Sequence, residues 1–118
     1  MEIGIIGLGA VGSAIKEGFE YIGHTTYGHD IRLDTKIEDV LPSEIVYICV
    51  GTPPDKNEHC DISAVLDVVG QLNDLDYKGI VAVKSTVKPG TTNSLVEKYP
   101  NLTIAFVPEF LRERCAYE

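Results

Sequence analysis

Ile3-Gly4-Ile5-Ile6-Gly7-Leu8-Gly9-Ala10-Val11-Gly12 carries the clearest structural signal in the sequence. A short β-branched run ends on a GxGxxG loop, which leads into Val11, Ala14, Ile15, Gly18 and Ile22, an apolar stripe at helical spacing that Gly23 can terminate. As a bare pattern GxGxxG is weak, because glycines also serve turns and close packing. Between a strand and an amphipathic helix it has a specific use. Gly7 permits the tight turn, Gly9 lets the backbone approach a pyrophosphate, and Gly12 brings helix and sheet together. The N–H groups opening the helix, at its positive dipole end, bind phosphate charge. Gly7, Leu8, Gly9, Ala10, Val11 and Gly12 are therefore the candidate dinucleotide loop.

Asp30 follows Gly12 by 18 residues, at the end of the next extended segment, Thr25 to His29. A carboxylate there accepts hydrogen bonds from an adenosine ribose, which favours NAD. A 2′-phosphate would face its negative charge, although Arg32 two residues on can offset part of that repulsion.

Outward from the loop, strands alternate with helices. Ile45 to Val50, Ile80 to Val83 and Leu102 to Val107 are apolar runs of the kind buried on both faces of a parallel sheet. Ile62, Val65, Leu66, Val69 and Leu72 form a second helical stripe, which Asp61 is suited to cap, and Pro89-Gly90-Thr91-Thr92 opens a short helix ending near Tyr99-Pro100. This order predicts an α/β fold: a Rossmann-type, doubly wound parallel sheet of about five strands in a three-layer α/β/α sandwich, with strand order 3-2-1-4-5. Gly51 to Cys60, the longest loop, lies beyond a strand's carboxyl end, where ligands bind in such folds.

The whole length of 118 residues suits one domain, and 44% hydrophobic residues exclude a disordered chain. No apolar stretch is long enough for a membrane span, and Met1 to Ile6 lacks the basic flank and cleavage site of a secretory signal, so a cytoplasmic address is expected. A net charge of −8 with scattered Lys and Arg argues against nucleic acid. Cys49, Cys60 and Cys115 show no metal-ligand spacing and are read as reduced thiols, structural or incidental.

Three further segments stand in chain order at the carboxyl ends of successive strands: Val50-Gly51-Thr52-Pro53-Pro54, Ser85-Thr86-Val87-Lys88-Pro89-Gly90-Thr91-Thr92, and Pro108-Glu109-Phe110-Leu111-Arg112-Glu113. With the glycine loop, they make the chain resemble the NAD-binding domain of UDP-glucose/GDP-mannose dehydrogenases over nearly its whole length. The resemblance implies that Val50, Gly51, Thr52, Pro53, Ser85, Thr86 and Val87 contact NAD, with Glu113 near its nicotinamide end. It places Glu109, Phe110, Leu111 and Arg112 beside a sugar nucleotide, Glu109 assisting proton transfer or hydrolysis and Thr86 positioning water. The implied reaction oxidises a sugar C6 alcohol twice, through a cysteine thioester, to the carboxylate.

The chain departs from the family in two ways. Asp30 to Ile45 is shorter than in fuller members, which carry a helical insertion there. The family's nucleophilic Cys, with its Lys, Asn and Asp, is contributed by later segments, and Cys115 lies too near Glu109 to match it. The isolated chain is therefore expected to be inactive on UDP-glucose. A stand-alone NAD-binding module, or a hydroxyacid dehydrogenase of the 6-phosphogluconate type, remains an alternative, and homo-oligomerisation is left open.

Overall fold

The computed structural model describes residues 1–51, 63–84 and 91–107. The first apolar run becomes β1 (Glu2–Ile6), and the glycine loop leads directly into α1 (Ala10–Tyr21) and back to β2 (Thr25–His29). A 3-10 helix (Ile37–Val40) precedes β3 (Ile45–Ile48), followed by α2 (Ser63–Asp74), β4 (Ile80–Val83), α3 (Thr91–Lys98) and β5 (Thr103–Phe106). All four strand pairings are parallel, and the three-layer Rossmann-type expectation holds.

The sheet order is β2-β1-β3-β4-β5, which corrects the expected 3-2-1-4-5. The third strand lies beside β1, with Ile3 opposite Ile45 and Ile6 opposite Ile48, and not outside β2. Composition supplies the reason. Ile45-Val46-Tyr47-Ile48 is apolar on both faces and needs cover above and below, which only the middle of the sheet provides. Thr25-Thr26-Tyr27-Gly28-His29 is polar enough to remain the edge. Residues 30–44 pass over β1 between them, and their 3-10 helix buries Ile37 and Val40 against the sheet.

This order puts the topological switch point between β1 and β3. From there the connections leave in opposite directions and cover opposite faces. On one face, Phe19 of α1 packs on Tyr47 with ring centroids 5.5 Å apart. On the other, Val65, Val68, Val69 and Leu72 of α2 and Leu95 of α3 join Ile6, Val46, Ile48, Val81 and Val83 in the main core. Each such fully buried side chain contributes roughly 1.5–3 kcal/mol.

The α1 stripe is rotated from its expected position, whereas the α2 stripe holds at Val65, Val69 and Leu72. In α1, Ala14, Gly18 and Ile22 are exposed, and the face turned inward runs Gly12, Ile15, Phe19. Gly12 sets that rotation, because a Cβ there would collide with the Gly7 carbonyl oxygen, so only glycine lets the helix settle on the end of β1. In α2, Leu66 is exposed and Val68 takes its place in the core. The helix end is as expected: Gly23, at φ +96°, donates to the Glu20 carbonyl at 3.1 Å while His24 donates to Phe19 at 3.0 Å, a Schellman cap. Among the described residues, no helix is long and apolar enough to cross a membrane.

The two α1 glycines should respond oppositely to alanine. Gly12→Ala is expected to lose about 3 kcal/mol or more through overpacking against the Gly7 carbonyl. Gly18→Ala, with nothing within 4 Å of the new methyl, should gain about 0.4–1 kcal/mol. Urea denaturation of the two variants checks both signs.

Candidate functional site

Beyond the carboxyl ends of β1 and β3 the chain leaves a cleft of about 490 Å³. Its volume lies within the range of small-molecule sites. Gly7, Gly9, Ala10 and Val11 form one wall, and Asp30, Ile31 and Arg32 close the β2 end. Cys49, Val50 and Gly51 continue from β3, which ends at Ile48 rather than Val50; the Cys49 N–H still donates to the Ile6 carbonyl at 2.7 Å, and all three residues line the cleft. The opposite side is made by Ala64, Asp67, Val68 and Gln71 of α2, with Lys84 just after β4.

The three loop glycines do different work. Gly7 has φ +95°, and a Cβ there would lie 2.8 Å from the Cys49 carbonyl carbon and the Val50 nitrogen, so the turn itself requires it. Gly12 seats the helix, as described above. At Gly9 the nearest atom to a Cβ is Arg32 Nη2, 3.9 Å away, so packing within the described residues gives no reason for glycine there. Gly9 is also the N-cap of α1, so no side chain at that position can take the first-turn N–H groups. A phosphate fits this cradle, because it needs both the room above Gly9 and those donors.

The loop is tied to β2 through Asp30, which is only 5% exposed. Leu8 donates its N–H to Asp30 Oδ2 at 2.8 Å, and Gly7 donates to the His29 carbonyl at 2.8 Å. Arg32 folds back onto the same carboxylate: its N–H and Nε reach Oδ1 at 2.9 and 3.0 Å, and its Nη2 reaches Oδ2 at 2.8 Å. Thr35 holds the turn from below, accepting from the Asp30 N–H at 3.0 Å and donating to the Asp30 carbonyl at 3.1 Å. The Arg32 side chain holds the Asp30 carboxyl well below the usual carboxylate range, and the backbone donors of Arg32 and Leu8 add to this against the opposing effect of burial.

Among the candidate residues, the structure gathers Gly7, Gly9, Ala10, Val11, Asp30, Val50 and Gly51 around one cleft. Leu8 and Gly12 support it from behind. Thr52, Pro53, Ser85, Thr86, Val87, Glu109, Phe110, Leu111, Arg112 and Glu113 lie outside the described residues, as do Asp61, Cys60 and Cys115. Sequence reasoning missed Ile31, Asp67, Gln71 and Lys84 as lining residues. Lys84 carried a readable signal, since it directly follows an apolar strand, whereas the α2 pair depends on how that helix is rotated.

The model of the UDP-glucose/GDP-mannose dehydrogenase family, NAD binding domain, matches residues 26–118. The chain belongs to this family. The match begins after the glycine loop, so the loop points to dinucleotide binding independently of it. UDP-glucose 6-dehydrogenase of Rickettsia bellii is 33% identical over 86 residues, covering 69% of this chain and 20% of that enzyme. GDP-mannose 6-dehydrogenase of Pseudomonas aeruginosa is also 33% identical, over 91 residues, covering 65% of this chain and 21% of that enzyme. Among solved structures, UDP-glucose dehydrogenase from Pyrobaculum islandicum superposes with a TM-score of 0.79 at 26% identity, covering 98% of this chain and 37% of its own. A ternary complex of GDP-mannose dehydrogenase from P. aeruginosa gives 0.79 at 27% identity, covering 98% and 38%. The chain thus spans about a fifth of these two curated relatives, and it is the family's NAD-binding domain.

The electrostatics of Asp30 make a prediction about pH. Folding lowers its pKa, so its stabilisation is present above the ordinary carboxylate pKa of about 4 and is lost as the pH falls below that value towards the folded-state one. Asp30→Asn should cost about 1–3 kcal/mol at pH 7, through donors left without their acceptor. The gap between variant and parent should narrow steadily below about pH 4. Denaturation midpoints at pH 7 and pH 3 measure it, and an equal gap at both would contradict this role for the carboxylate.

Proposed function

We propose that this chain supplies the cofactor-binding part of a nucleotide-sugar 6-dehydrogenase that uses NAD to oxidise the C6 alcohol of a sugar nucleotide such as UDP-glucose. The observation that carries the reading is Gly9: a glycine that no backbone crowds, with only the end of Arg32 within 4 Å of a Cβ, at the start of a helix, on the cleft at the β1/β3 switch point. In this reading the N–H groups of Gly9, Ala10 and Val11 hold the pyrophosphate, and Asp30 accepts from the adenosine ribose. Ile31, 92% exposed beside Asp30, offers the adenine an apolar face. Val50 and Gly51 continue the cleft towards the nicotinamide end, where bound NAD supplies the hydride acceptor.

The remaining roles rest on the family resemblance. Thr52, Pro53, Ser85, Val87 and Glu113 complete the cofactor contacts, Thr86 positions water, and Glu109, Phe110, Leu111 and Arg112 meet the sugar nucleotide. The equal identity to UDP-glucose and GDP-mannose enzymes supports a nucleotide sugar as the substrate class without separating the two. No cysteine of this chain is assigned the family's nucleophilic role.

Gly9→Val tests the reading by calorimetry with NAD. A Cβ at this position meets only the movable end of Arg32, at 3.9 Å, so the variant should keep its circular dichroism spectrum and lose NAD affinity by about 100-fold or more. Retained affinity in a folded variant would reduce the loop to a turn. The isolated polypeptide should bind NAD yet form no NADH from UDP-glucose, and steady turnover would overturn the division of labour proposed here.

A further inference from the structure

Asp30 is fully engaged before any cofactor arrives. An ionised carboxylate offers about four acceptor positions, and Asp30 has four donors: the backbone N–H groups of Leu8 and Arg32, and Nε and Nη2 of the Arg32 side chain. The backbone pair is fixed by the turn. The side-chain pair is removable, because the Arg32 side chain is 69% exposed while that of Asp30 is 6% exposed. The same Nη2 is the nearest atom to the open position at Gly9, 3.9 Å from a Cβ built there. The guanidinium therefore bridges the interval between the phosphate cradle and the ribose acceptor.

Ribose hydroxyls can donate to Asp30 only if Nε and Nη2 withdraw. Once rotated away, the guanidinium remains within its own side-chain length of the ribose, and its planar fork of donors matches a phosphate as well as it matches a carboxylate. A 2′-phosphate would give Arg32 a new partner in place of Asp30, whereas a bare 2′-hydroxyl would not.

We propose that Arg32 determines cofactor discrimination at this site: lying across both oxygens of Asp30, its side chain competes with the ribose hydroxyls of NAD, and on release it pairs with the 2′-phosphate of NADP. The proposal rests on Asp30 being the ribose acceptor, as argued above. Arg32 thus handicaps NAD and assists NADP relative to the same site without it.

Calorimetry at fixed ionic strength with NAD, NADP and nicotinamide mononucleotide tests this on the parent chain, Arg32→Ala, Arg32→Met and Asp30→Ala. Arg32→Met keeps the aliphatic stem and removes only the charge and the donors. Both Arg32 variants should bind NAD about 3- to 10-fold more tightly and NADP at least 10-fold more weakly, leaving the mononucleotide unchanged. Weaker NAD binding in both variants, unaltered NADP affinity, or NADP binding too weak to measure in the parent would overturn the proposal. Asp30→Ala separates the two levels of the argument. If it leaves NAD affinity unchanged, the ribose role of Asp30 itself fails; if it weakens NAD while the Arg32 variants match the parent, only the role of Arg32 fails.

Discussion

The contact between the start of α1 and the carbonyl of Gly7 governs the rest of the molecule. Because residue 12 has no Cβ, the helix comes down onto the end of β1. That approach turns Ile15 and Phe19 towards the sheet and presents the first-turn N–H groups to the cleft. The tight turn at Gly7 is the other half of the same constraint, since its positive φ lets the chain pass close to Cys49 and Val50 of the neighbouring strand's exit. Fold and site are thus one arrangement: the geometry that buries the helix also sets its N-terminus on the cleft.

Charge is handled locally. The chain carries a net −8, yet an anion at the start of α1 would need no cationic side chain, because backbone N–H groups at a helix start retain their partial charge whatever the surface balance. Asp30 places a full negative charge at the edge of that site, and four hydrogen bonds keep it ionised despite burial. The loop and the second strand are joined through this carboxylate, so a change at Asp30 reaches the position of Leu8.

The local features of this fold were legible because short-range rules determine them. The GxGxxG loop, Asp30 at the end of β2, the Gly23 cap and the bounds Thr25–His29 and Ile80–Val83 follow from neighbouring residues alone. Sheet order was not, because whether Ile45–Ile48 lies outside β2 or beside β1 depends on which position offers cover on both faces, a property of the assembled sheet. The exposure of Ala14, Gly18, Ile22 and Leu66 was hidden for the same reason: spacing identifies a stripe, and packing decides its rotation. Arg32 was visible as a nearby cation, but its fold-back onto Asp30 is a side-chain conformation that no periodicity encodes.

Backbone amide resonances followed during titration with NAD report phosphate recognition by particular N–H groups at the start of α1. Saturable shifts concentrated at Gly9, Ala10 and Val11, with a second group at Ile31 and Arg32, are the predicted result. Shifts confined to the far ends of the strands, or their absence at concentrations that saturate binding, would contradict the account and place the dinucleotide elsewhere.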